Sequence, residues 1–167
     1  MDFRREVSED SLALSELRCI ASGVGYYFTM WRNAYILDFY ETPTVEGLDA
    51  SIACKRIVLR KNPAGVIVLN LVDGENPPPS GPIRRYAQTK STEDPAGVLI
   101  RGEGFKPATI RSMLATIQLV TRAPYPRKVF ATNDEAASWA APLAGAPLAK
   151  HLLAEALVRT REKEAAA

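Results

Sequence analysis

Three features of this chain predict a layered α/β fold, a mixed central sheet flanked by helices. The first is the segment 65–80, where Val66, Ile67, Val68, Leu69 and Leu71 form an apolar run cut off by Asp73, Gly74 and the prolines at 77–79. A run this short, apolar on both faces and followed by turn residues, reads as a strand inside a covered sheet. The second is the pair of runs Tyr26–Trp31 and Tyr35–Tyr40, rich in aromatic and β-branched residues. Only Arg32, Asn33 and Ala34 join them, which predicts an antiparallel hairpin. The third is Ile110, Met113, Leu114, Ile117 and Val120, whose i, i+3, i+4, i+7 spacing is that of an amphipathic helix.

In chain order, residues 1–23 form a polar extension with scattered Leu12, Leu14, Leu17 and Ile20; their pattern suits a helix or a strand equally. After the hairpin, Thr42–Pro43 opens a helix, since threonine caps free amides and proline has none to leave unpaired. Val45, Leu48, Ile52 and Leu59 fall roughly on one face of it, and it stops before Asn62–Pro63–Ala64–Gly65. The strand 66–71 follows. Ser80–Gly81–Pro82 starts a second helix carrying Ile83, Arg84, Arg85 and Tyr86. Val98–Ile100 is a short strand, and 101–104 a turn before the helix that Pro107 begins. Lys128–Ala131 is the last strand. Thr132 with Glu135 three residues on is a capping-box pattern, opening a short helix lined by Ala136, Trp139, Ala140 and Leu143. The order is β-β-α-β-α-β-α-β-α, and right-handed crossovers make the later strands parallel. From Pro147 an extra C-terminal helix with Leu148, Leu152, Leu153, Leu157 and Val158 lies outside this pattern. It either packs back on the domain or pairs with another subunit. The division is thus 1–23, an extension; 24–145, the α/β domain; and 146–167, the C-terminal helix and tail.

Composition narrows the function classes. The 167 residues, 47% hydrophobic and 24% charged, suit one domain with a substantial core. A net charge of +2, with basic and acidic residues interleaved, does not favour nucleic acid. Cys19 and Cys54 are too few for a disulfide framework and wrongly spaced for a metal site, and Cys54 reads as a small core residue. No stretch resembles a signal peptide or a membrane span, so a cytoplasmic location is expected.

The element order resembles the STAS domain, the fold of the bacterial anti-sigma-factor antagonists. More narrowly, it is similar to uncharacterised bacterial STAS-like proteins compared with the CRAL–TRIO lipid-binding fold. The likeness covers roughly residues 24–145. It is carried by the hairpin ending in Tyr35–Tyr40, the strand 65–72, the Gly102–Phe105 turn into the Arg111 helix, and Val129–Phe130, Glu135–Ala136 and Trp139–Ala140. In the antagonists, a partner kinase phosphorylates a serine in an Asp-Ser-Ser-Gly-like motif after the central strand. Ser80–Gly81 occupies the corresponding region, but Pro79 precedes it where the motif has an acidic-serine approach. Ser80 is therefore expected as a helix cap first and a phosphorylation site second. The resemblance implies a signalling protein that binds another protein, a regulatory kinase or a sigma regulator.

The residues themselves offer few sites. His151 is the only histidine, with no metal-binding cluster around it and no nucleophile-elbow motif in the chain. Asp38, Glu41, Asp73, Glu75 and Glu103 lie near predicted strand ends or turns, where solvated positions are their default. No catalytic constellation or cofactor motif stands out, so a non-enzymatic function is expected. The face around Arg84, Arg85 and Tyr86 is the expected partner-binding surface. A small-ligand, lipid or anion module is the alternative. Its site would be Gly102, Gly104, Phe105, Lys106 and Arg111, at a helix N-terminus beyond the C-terminal end of a parallel strand. Gly102 and Gly104 more simply permit a tight turn. The hairpin aromatics Tyr26, Tyr27, Phe28, Trp31, Phe39 and Tyr40 are expected in the core, or on a partner-binding face. The leucines of 148–158 raise the expectation of a homodimer.

Overall fold

The computed structural model describes residues 13–63, 65–72, 81–83, 85, 98–101, 128–130, 132–143 and 149–166. Its sheet is mixed, with strands in the order β1 (Arg18–Gly23), β2 (Tyr26–Trp31), β3 (Ala34–Phe39), β4 (Ile67–Val72), β5 (Val98–Arg101) and β6 (Lys128–Phe130). β1, β2 and β3 run antiparallel, while β3 to β6 are mutually parallel. The hairpin and the parallel strands are thus as expected. One strand was undecided: residues 18–23 of the N-terminal extension pair with β2 and join the sheet.

Backbone geometry explains the hairpins. Val24 and Gly25 turn β1 into β2, and Gly25 has φ of +81°, a region costly for a residue with a Cβ. Its carbonyl accepts hydrogen bonds from the Tyr40 and Glu41 amides, fixing the exit of β3 against this turn. Arg32 takes φ of +53° between β2 and β3 without being glycine. Its guanidinium lies 4.9 Å from the Trp31 ring centroid and its Nε 3.3 Å from Glu16 Oε2, two contacts that hold the turn. In β1 the register slips between Cys19 and Ala21, so Ile20 is bulged and twists this edge strand.

The central strand is dry on both faces. Val66, Ile67, Val68, Leu69 and Leu71 are each no more than 2% exposed. Side chains alternate across a strand, so the sheet feeds two cores. One contains Phe28, Tyr35, Leu37, Val66 and Val68 against α1 (Val45–Lys61). The other contains Trp31, Ala34, Ile36, Ile67, Leu69 and Leu71 against α2 (Asn133–Ala140) and α3 (Lys150–Ala166).

Three local expectations are corrected. The cap of α1 is Thr44, not Thr42; its side chain accepts from the Gly47 amide at 3.2 Å. The buried stripe of α1 is Gly47, Ser51, Cys54 and Val58, not Val45, Leu48, Ile52 and Leu59, and Val45 is 45% exposed. Bulk on the sheet side causes this. The rings of Tyr26 and Phe39 come so close that a Cβ at Gly47 would lie 3.1 Å from each, and the Tyr35 hydroxyl donates to the Ser51 carbonyl at 3.0 Å. Small helix residues must face these aromatics, so the larger aliphatics rotate to the flank. After α2, Leu143 is exposed rather than aligned with Ala136 and Ala140, because a 3₁₀ turn at Ala141–Leu143 changes the helical period.

Of the two alternatives for the C-terminal helix, packing back on the domain is observed. Leu152, Leu153, Ala154, Ala156 and Leu157 of α3 are buried, packed on α2 and on the β2–β3 face. Leu152, Leu153 and Leu157, three of the leucines behind the homodimer expectation, are buried inside one chain, Val158 is exposed, and Leu148 lies outside the described residues. The capping pattern at Thr132 stands, its side chain accepting from the Glu135 amide at 3.2 Å. No helix among the described residues is long and apolar enough to cross a membrane.

Candidate functional site

The densest meeting of polar side chains in the described interior lies where α3 crosses β2 and β3. Thr29 and Tyr27 on β2, and Asp38 on β3, share the sheet face that α3 covers. In the ladder Tyr27 stands opposite Asp38, and Thr29 opposite Ile36. On the other side of β2, Ser22 pairs with Tyr27 and Cys19 with Thr29. Leu71 lies beside Asp38 on β4. The site therefore sits toward the C-terminal end of a parallel strand, the end where α/β sheets place ligands.

α3 supplies the other half. Its leucines at 153 and 157 and its threonine at 160 follow one helical stripe, so Thr160 descends onto the sheet one turn past the leucine seat. Thr29 and Thr160 are fully buried and their hydroxyl oxygens are 2.8 Å apart. Thr160 Oγ1 is also 2.8 Å from the Ala156 carbonyl oxygen. The single Thr160 proton goes to that carbonyl, leaving Thr29 as the donor between the two hydroxyls. The next residue, Arg161, places Nε 3.9 Å from Asp38 Oδ2; the side chains are 30% and 3% exposed respectively.

Asp38 was expected on solvated surface, and this is corrected. It stands two residues beyond Ile36 along β3 and so points into the same core, with only 2% of the residue exposed. A carboxylate there needs a compensating charge, which the Arg161 guanidinium supplies. Burial pushes the Tyr27 phenol above its ordinary value, and a hydrogen bond with Cys19 adds to the shift. The Cys19 thiol itself is exposed, with Sγ 3.6 Å from the Ala21 carbonyl oxygen. Chemically, the arrangement is a charge pair and a hydroxyl pair that set the register of α3 on the sheet.

The sequence expectations divide clearly. Residues 81–83 and 85 are helical, as expected of the second helix, and Arg85 is exposed. Ser80, Arg84, Tyr86, Gly102, Gly104, Phe105, Lys106 and Arg111 lie outside the described residues. His151 is exposed on α3, Cys54 is buried in the core, and Tyr26, Tyr27, Phe28 and Trp31 are core residues. Among the described residues no group of three or more His, Cys, Asp or Glu is placed to hold a metal ion. Sequence reading missed Thr29, Thr160 and Arg161. Two signals could have found the threonines: a hydroxyl inside the apolar run of β2, and a hydroxyl continuing the leucine stripe of α3.

Comparison of the chain with protein-family models, with curated proteins and with solved structures finds no match.

Proposed function

We propose that this protein is a STAS-like, non-enzymatic regulator that acts in the cytoplasm by binding another protein. The docking face is the one expected around Arg84, Arg85 and Tyr86, and the partner is a regulatory kinase or sigma regulator. The observation that carries this reading is the exposed Arg85 on a helical segment that follows the buried parallel strand β4. In the STAS antagonists that the element order resembles, the phosphorylated serine follows the central strand in the corresponding region. Several polar groups of the described residues are committed to structure. The hydroxyls of Tyr35, Tyr40, Thr29 and Thr160 and the Trp31 indole N–H are all engaged in bonds that hold the fold. The homodimer is not part of this reading, since Leu152, Leu153 and Leu157, which helped suggest it, are buried within the chain.

The test is affinity capture from the native host, followed by binding between purified components. A partner that binds the intact protein should lose about tenfold or more in affinity to Arg85→Glu and Tyr86→Ala, as expected for central interface residues. Binding that is unchanged in both variants overturns the docking face.

A second reading, a small-ligand or anion-binding module, draws on one observation. The Asp38–Arg161 pair lies toward the strand ends at which Gly102, Gly104, Phe105, Lys106 and Arg111 were expected to bind. Native mass spectrometry of the purified protein decides it. A mass above that of the bare polypeptide, removed on denaturation, supports a ligand; the bare mass alone rejects it.

A further inference from the structure

We draw no further inference here: the strongest candidate, the Tyr27, Asp38, Thr160 and Arg161 cluster at the junction of β2, β3 and α3, belongs to the site already described, where the Asp38–Arg161 pair and the Thr29–Thr160 hydrogen bond join the last helix to the sheet.

Discussion

Thr29 on β2 and Thr160 on α3, 131 positions apart in the chain, share a 2.8 Å hydrogen bond in a place with no solvent exposure. It ties the C-terminal helix to the strand that begins the hairpin. Thr160→Val leaves the Thr29 donor buried without a partner, which costs about 1–3 kcal/mol. Thr29→Val removes only the bond that Thr160 accepts and costs less. The double variant Thr29→Val/Thr160→Val removes both polar groups and should recover much of the loss. Urea unfolding of the four proteins measures this; strictly additive losses would count against the pairing.

The α3 leucines give a second prediction. Leu153 and Leu157 are no more than 1% exposed against Trp31, Ile36 and Leu69. Leu153→Ala and Leu157→Ala should each lower stability by about 2–5 kcal/mol, through lost burial and a residual cavity. Light scattering on the folded fraction should give the same mass for variants and parent. A variant that changes its mass while keeping its unfolding midpoint would place these leucines between subunits.

Stability should fall at alkaline pH. Burial pushes the Tyr35 phenol far above its ordinary value, with nearby Cys54 adding to it, and burial also pushes the Cys54 thiol up. Both groups therefore keep their protons in the folded protein at pH values where the unfolded chain releases them. Their contribution is complete below the unfolded values, about pH 9 for the thiol and about 10 for the phenol, and is lost as pH rises beyond them. The decline approaches about 1.4 kcal/mol per pH unit for each group held neutral. Tyr35→Phe should lose about 1 kcal/mol at neutral pH with its bond to the Ser51 carbonyl. Above pH ~10 it should decline less steeply, by about one proton. Parallel curves for parent and variant would exclude Tyr35 as a source of the slope.

Arg32 separates backbone strain from side-chain contact. Its φ of +53° suits glycine, whereas its contacts with Trp31 and Glu16 need the guanidinium. Arg32→Ala keeps the unfavourable backbone and loses both contacts, so it should destabilise by about 1 kcal/mol. Arg32→Gly loses the same contacts but relaxes the turn, and should lie about 1 kcal/mol above the alanine variant. Calorimetric midpoints compare them directly. Equal midpoints would show that the turn carries no strain.

The architecture was legible wherever one residue pattern had one physical solution. Residues 66–71 could satisfy their apolar side chains only by burial on both faces, and they are buried on both. Tyr26–Trp31, joined to the next run only by Arg32, Asn33 and Ala34, was expected to pair with the strand that follows, and the ladder runs from Tyr26–Phe39 to Trp31–Ala34, which takes Ala34 into the strand. Residues 18–23 were ambiguous because a bulged edge strand lacks strict alternation. The apolar residues of α1 pointed to the wrong stripe, because neighbouring aromatic rings select small residues whatever the helix's own hydrophobicity.

From its residues alone, then, this chain determined a mixed α/β sheet, its central strand, its hairpin and the cap at Thr132. These depend on side-chain periodicity and local backbone preference, which act over a few positions. Only the tertiary structure decided that α3 closes over β2 and β3, and that Asp38 is buried beside Arg161 rather than solvated. Those outcomes depend on which distant surfaces fit and on whether a buried charge finds its counter-charge, and neither is encoded in spacing along the chain.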